Sequence, residues 1–349
     1  MSWESNIRKV VPYVPGEQPK ETNLIKLNTN ENPYPPCKAV QDELNKMAMD
    51  YDVLRKYPKP ACDQLVEALS KYYGFPEDQI FVGVGSDDVL SMAFLTCFNS
   101  EKPILFPDIT YSFYDVWAEV YRIPYKTIPL TESFEIDFKD YQIPNGGIVI
   151  ANPNAPTGIA KPISEIEELV KANPDSVVIV DEAYVDFGAE SALPLVDKYD
   201  NVLVVRTYSK SRQMAGMRIG AAFGNPKLIK FMQDVKYSVN SYTMNETSLR
   251  LGAIALEDEA YFKECLRKIK LTREYTVTEL EKLGFKVLPS CTNFVFATHP
   301  DRPAAELYKM LRENKILVRY FNKPRIDNFL RITIGTDEEM QKFIEVLSR

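Results

Sequence analysis

The chain has 349 residues, long enough for a large apolar core and for more than one domain. Its 45% hydrophobic and 26% charged content is that of an ordinary globular protein, and no apolar run approaches the roughly 18 residues of a membrane span. A net charge of −7, with no block of lysine and arginine, argues against a nucleic-acid surface.

The first residues lack the apolar segment of a signal peptide, and five scattered cysteines form no CxxC pair. Reduced thiols in a cytoplasmic protein are therefore expected. His299 is the single histidine, so no metal site is expected, and a serine–histidine triad would rest on that residue alone.

Residues 1–36, rich in Pro, Asn and Tyr, read as an extended arm that joins a small domain. From about 60 to 245, short apolar runs at 80–84, 104–106, 148–151, 177–180, 202–205 and 218–223 read as strands. Helical spacing lies between them, as in Val89, Met92, Ala93, Leu95 and Thr96, and again in Ile163, Ile166, Leu169 and Val170. This alternation predicts an α/β fold, a mostly parallel sheet covered by helices, with ligands at the carboxyl ends of its strands. Residues 245–283 read as one long helical region. Strands at 294–297, 316–318 and 330–334 and a helix from Asp337 complete a smaller α+β unit. The expected division is an arm (1–36), a large ligand-binding domain (37–245) and a small domain (246–349).

Chemistry gathers at the predicted strand ends. Lys210 follows the run 202–205 within Arg206-Thr207-Tyr208-Ser209-Lys210-Ser211, and Arg218 comes eight residues later. A lysine chosen blindly is a solvated surface residue. One that ends a buried strand, beside Thr207, Ser209 and Arg218 as phosphate donors, is placed to form a Schiff base. Asp181 and Tyr184 follow the run 177–180. The acid could simply cap the next element, or it could hold a pyridine nitrogen protonated while the phenol meets an anionic oxygen. Gly85-Ser86-Asp87-Asp88 opens a helix whose free amides suit an anion, although Ser86 or Asp87 could be a plain cap. It matches no nucleotide-binding motif. Asn152-Pro153-Asn154-Ala155-Pro156-Thr157-Gly158 is a rigid turn that places Asn152 and Asn154 near any ligand at that edge, and Tyr111 could stack on a flat ring or be a turn aromatic.

Taken in order, these segments resemble the fold-type I pyridoxal-phosphate aminotransferases over essentially the whole chain. Pro12-Tyr13-Val14-Pro15-Gly16, Leu27-Asn28-Thr29-Asn30-Glu31-Asn32-Pro33-Tyr34, Arg55-Lys56-Tyr57-Pro58 and Leu330-Arg331-Ile332-Thr333-Ile334-Gly335-Thr336 resemble its histidinol-phosphate aminotransferase branch. The resemblance implies pyridoxal 5'-phosphate as cofactor, bonded to Lys210, with Asp181 on the ring nitrogen, Tyr184 on the phenolic oxygen and Tyr111 stacked on the ring. It implies a phosphate held by Ser209, Arg218, Thr207 and the amides of Ser86 and Asp87. Tyr57 would reach that phosphate from a second copy in a homodimer with shared active sites. Arg331, helped by Arg319, Tyr13 and Asn28, would bind the anionic end of a small-molecule amino donor and then of a 2-oxo acid. The implied exchange is L-histidinol phosphate with 2-oxoglutarate in histidine biosynthesis. A threonine-phosphate decarboxylase or an aromatic-amino-acid aminotransferase would carry much the same cofactor residues. A regulator built on this fold would need a DNA-binding domain, for which the arm is too short.

Two segments depart from the family pattern. Ala155 stands where the family has an asparagine that donates to the phenolic oxygen, leaving Tyr184 alone, or Asn154 or Asn152, to supply that contact. Ser211-Arg212-Gln213-Met214 is more polar than the family's usual small and apolar residues.

Overall fold

Apolar runs rich in β-branched residues, with no alternation, set the architecture of the computed structural model, which describes residues 3–21 and 23–349. Positions 1, 2 and 22 of the expected arm lie outside the described residues. The arm carries a short 3-10 turn at Trp3–Asn6 and leads to a two-residue strand, β1 (Ile25–Lys26). Seven strands then build the main sheet: β2 (Ile80–Gly83), β3 (Ile104–Pro107), β4 (Tyr125–Ile128), β5 (Gly147–Ala151), β6 (Val178–Asp181), β7 (Val202–Thr207) and β8 (Gly220–Gly224). Their order is β2-β8-β7-β6-β5-β3-β4. All pairings are parallel except the two made by β8, which runs against both β2 and β7. Every residue of β5, β6 and β7 is buried, as expected of strands covered on both faces.

Helices cover the sheet. On Gly85–Cys97 the predicted Val89, Met92 and Ala93 are buried, but Leu90 and Phe94 complete the face while Leu95 and Thr96 are only partly covered. On Ile163–Ala172 the predicted Ile166, Leu169 and Val170 are buried. The strand β4 escaped the sequence pattern because three of its four residues are exposed at the sheet edge, so no apolar run marks it. Arg218 was expected inside a strand. It sits instead in the turn before β8 with φ of +51°, which aims its side chain back over the sheet edge.

The expected single helix over 245–283 is two, Glu246–Ile254 and Glu259–Lys282. The break is at Asp258, whose carboxylate accepts from the Tyr261 N–H and starts the second helix. Leu249, Leu251, Ala255 and Leu256 join the core of the main sheet. Phe262, Leu266 and Ile269 of the second helix join a separate core.

Beyond that turn, β9 (Lys286–Val287), β10 (Phe294–Thr298), β11 (Ile316–Leu317), β12 (Arg319–Tyr320) and β13 (Leu330–Thr333) follow. Four of them make an antiparallel sheet in the order β12-β13-β10-β9, and β11 pairs with β1 of the arm. Leu27 of the arm shares a separate core with Phe262, Ile269, Val295, Ile332 and Phe343. The last helix, Asp337–Leu347, opens with a reciprocal Thr336/Glu339 cap. Arg319 and Arg331 sit opposite each other on β12 and β13.

Candidate active site

Five strands deliver side chains to one cavity of about 230 Å³ at the carboxyl edge of the main sheet. Ser86 and Asp87 follow β2, Tyr111 follows β3, Ala155 follows β5, Tyr184 follows β6, and Ser209 and Lys210 follow β7. The reversed strand β8 adds Arg218 from its amino end. The small sheet contributes Arg319, Phe321 and Arg331, and the arm contributes Tyr13 and Asn28–Glu31.

Asp181 ends β6 and is 5% exposed. Its Oδ2 accepts from the Tyr114 hydroxyl at 2.9 Å and its Oδ1 from the Ala183 N–H at 3.1 Å. Burial nevertheless raises its pKa from 3.8 to about 6, the two hydrogen bonds only partly offsetting it. Among the described residues it makes no ion pair. A carboxylate so placed favours a cationic N–H donor entering the cavity.

Lys210 Nζ donates to the Thr29 carbonyl at 3.0 Å. Burial, then the positive field of Arg331, lowers its pKa from 10.5 to about 8. Near neutral pH roughly one amine in ten is therefore neutral and nucleophilic, far more than for a free lysine.

Anion-binding groups meet at the start of the helix Gly85–Cys97. Gly85 has φ of +84°, and a Cβ there would come within 2.6 Å of Arg218 Nη2; a Cβ on Gly220 would lie 2.4 Å from the backbone of Gly85. The two glycines thus let the Arg218 turn close over the helix N-terminus, a cradle of amides and guanidinium shaped for a phosphate. Ser209 lines the same end of the cavity. The donor set and the cation-seeking carboxylate fit a phosphorylated pyridine carbonyl compound.

Arg331 is half-buried, with Nη2 donating to the Asn28 carbonyl at 2.9 Å and its guanidinium 5.3 Å from the Phe294 ring centre. Its Nε and the Oδ1 of Asn28 are covered atoms without partners among the described residues, so both keep capacity for a ligand. Arg319 donates to the Pro15 and Val14 carbonyls at 3.1 and 2.9 Å, and so fastens the arm over the cavity. Tyr13 stacks on Phe113 with ring centres 4.2 Å apart.

Three residues expected near the ligand, Asn154, Asn152 and Thr207, are committed to the protein instead. Asn154 does not line the cavity: its amide donates to the Ile109 carbonyl and Thr157 Oγ1, and its Oδ1 accepts from Thr110. Asn152 is likewise committed to the backbone of Lys161. Neither replaces the amide missing at Ala155. The Thr207 hydroxyl also serves the protein, donating to Ser209 Oγ and accepting from the Ser209 N–H, and it positions Ser209. Tyr57, expected to reach the cavity of a second copy, is 82% exposed beside Tyr242 and, in keeping with that, does not line this chain's own cavity.

Sequence reasoning missed Tyr114 and Asn30. Both act across long separations, Tyr114 onto Asp181 and Asn30 Nδ2 onto the Tyr184 hydroxyl at 2.9 Å, and no local pattern marks either. The polar segment after Lys210 is explained by packing. Ser211 Oγ donates to Asp186 at 2.6 Å, and the Arg212 guanidinium lies 3.6 Å from the Phe262 ring centre and 4.6 Å from that of Tyr72. Asp186 is in turn bound by Arg206, which also pairs with the fully buried Glu182 at 2.8 Å.

Comparison with known proteins agrees with this geometry. The model of the family described as aminotransferase class I and II matches residues 22–347. The histidinol-phosphate aminotransferase of Lactococcus lactis subsp. cremoris is 52% identical over 347 residues, 99% of this chain and 97% of that protein. Histidinol-phosphate aminotransferase 2 of Dechloromonas aromatica is 52% identical over 350 residues, covering 99% and 98%. Among solved structures, the histidinol-phosphate aminotransferase of Sinorhizobium meliloti in complex with pyridoxal-5'-phosphate superposes with a TM-score of 0.84 at 23% identity, over 93% of this chain and 91% of that one. The chain belongs to the class I and II aminotransferases.

Proposed function

We propose that the protein uses pyridoxal 5'-phosphate to transfer the amino group of L-histidinol phosphate to 2-oxoglutarate, giving imidazole acetol phosphate and glutamate. The observation that carries this reading is the meeting, at one sheet edge, of a lysine with a lowered pKa, a buried carboxylate without a cation and a glycine-lined anion cradle. The relatives at about half identity over nearly the whole chain supply the substrate.

When bound, the cofactor's pyridinium ring supplies an electron sink that stabilises negative charge on the carbon next to the transferred nitrogen. Asp181 would hold the ring nitrogen protonated and Tyr184 would donate to the phenolic oxygen. Tyr111 would lie against the ring. The amides of Ser86 and Asp87, with Ser209 and Arg218, would hold the phosphate. Lys210 Nζ would carry the covalent link. As a free amine, the same Nζ would take the proton from the amine-bearing carbon and return it on the other side of the transferred nitrogen. Arg331 binds the anionic end of each substrate in turn, the phosphate of the donor and a carboxylate of the acceptor. The arm fastened by Arg319 covers the cavity and limits water.

The reading includes a homodimer. Tyr57 is exposed beside Tyr242, and Met49, Tyr51 and Val239 are exposed as well, apolar groups that a second copy would cover while Tyr57 reaches the other cavity. Mixing Lys210→Ala and Tyr57→Ala chains tests it: hybrid dimers keep one complete site and regain activity, whereas independent sites regain none.

The decisive experiment is borohydride reduction of the coloured protein followed by peptide mapping, with the label expected on Lys210. Histidinol phosphate should bleach the colour and yield a keto product without CO₂. A label elsewhere, or bleaching by threonine phosphate with release of CO₂, would overturn the assignment.

A further inference from the structure

We propose that Asn30 is a positioning residue that holds the Tyr184 hydroxyl with its proton directed into the cavity, so that one phenol does the work usually shared with the amide absent at Ala155. The proposal rests on the function proposed above and deepens it.

Asn30 is 1% exposed and sits in a left-handed turn with φ of +56°. Its backbone and side chain are tied at both ends. The backbone N–H donates to Thr333 Oγ1 at 3.0 Å, and the carbonyl accepts from Asn293 Nδ2 at 3.0 Å. The Thr333 hydroxyl returns its proton to Asn30 Oδ1, also at 3.0 Å. With its carbonyl oxygen held by Thr333, the carboxamide has only its NH₂ to turn toward Tyr184, and Nδ2 donates to the phenol oxygen at 2.9 Å. An NH₂ group accepts nothing, so the phenol cannot give its own proton to Asn30. No other described hydrogen bond uses this hydroxyl, and Tyr184 lines the cavity. The proton therefore points at the ligand.

The ring itself is fixed edge-on against Phe294, with centres 5.1 Å apart and planes at 90°. The amide also makes Tyr184 a better donor, since a hydrogen bond onto the phenol oxygen polarises its O–H. The charged groups facing this phenol are Arg331, Asp181, Asp87 and Lys210, and Asn30 adds no charge to them. Ala155, where a second donor would stand, has a methyl group at the cavity wall. The donor lost on β5 is thus offset from the arm, through Thr333 of the small sheet.

The test is a double-mutant cycle on the loaded protein. Glycine accepts a positive φ, so Asn30→Gly removes the carboxamide without straining the turn. The readout is the pH midpoint of the colour of the Lys210-bound cofactor, which rises when a donor to the phenolic oxygen is lost, because the unshared anion then favours a proton on the neighbouring nitrogen. Asn30→Gly should raise the protonation constant about threefold to tenfold, the worth of one net hydrogen bond. The same change in a Tyr184→Phe background should add nothing. An unchanged midpoint, or an equal rise in both backgrounds, overturns the proposal, because a general structural or electrostatic effect does not need the hydroxyl. Should Asn30→Gly fail to fold, Thr333→Val in the same two backgrounds answers the same question by freeing the amide. Borohydride labelling of the unsubstituted protein is the control: no label on Lys210 sinks the function itself, whereas a label with no shift sinks only the role of Asn30.

Discussion

The Tyr111 hydroxyl donates to Asp87 Oδ1 at 2.8 Å while the other oxygen of the same carboxylate lies 3.2 Å from Arg218 Nη2. One acid thus joins the residue expected on the ring face to the residue expected on the phosphate. An incoming dianion must share Arg218 with Asp87. This pair is about 40% exposed on each side, so the competition is modest. Asp87→Asn keeps an acceptor for Tyr111 and removes the opposing charge. Inorganic phosphate should then bind the cofactor-free protein severalfold more tightly, as measured by calorimetry; unchanged or weaker binding would show that Asp87 does not compete for Arg218.

The raised pKa of Asp181 adds its own component to the pH dependence of the cofactor-free protein. Between about 4 and 6 the native carboxyl keeps a proton that the unfolded chain has lost, so this group's contribution to stability falls as pH rises through that window. Urea unfolding across pH 4–6 should show a shallower loss for Asp181→Asn than for the unsubstituted chain. Parallel slopes would mean that the group is not held neutral there.

Arg319 and Arg331 face the same cavity from paired strands but have different duties. Arg319 binds arm carbonyls, whereas Arg331 Nε is unpartnered. Arg319→Ala should open residues 8–20 to limited proteolysis. Arg331→Ala should leave the arm protected and raise KM for both the amino donor and the 2-oxo acid, by roughly tenfold or more for a charge-assisted pair. Equal proteolysis of the two variants would refute this division.

Stability should be most sensitive where charge is buried. Glu182→Gln weakens one partner of Arg206, which keeps Asp186, in a site where the carboxylate is fully covered, and a loss on the order of 1.5–3 kcal/mol is expected in chemical denaturation. Lys38→Ala, which breaks an exposed pair with Asp42, should cost less than about 1 kcal/mol. Similar losses for the two would mean the inner pair is solvated.

Residues that act at the end of their own strand are legible in the sequence. Lys210, Asp181, Tyr184, Ser86 and Tyr111 all follow apolar runs that announce their own burial, and the strand-end rule places them together. Contacts made by crossing between elements are not legible in this way. Asn154 flanks a strand end and so reads as available, yet its short side chain is consumed by the turn it stabilises. Asn30 and Tyr114 read as ordinary because their partners are 154 and 67 residues away. The edge strand β4 and the break at Asp258 are obscured for a shared reason: a half-exposed segment carries a weak hydrophobic period.

The reversal of β8 has a mechanical result. Parallel neighbours send the chain away from the cavity and need a helix to bring it back, but a hairpin from β7 to β8 begins and ends at the same rim. The Lys210 amine, proposed to bear the covalent link, and the Arg218 guanidinium, proposed to grip the phosphate of the same ligand, are thereby carried on one doubly rooted loop. Twisting of the sheet would carry both along together, keeping the span between them nearly constant.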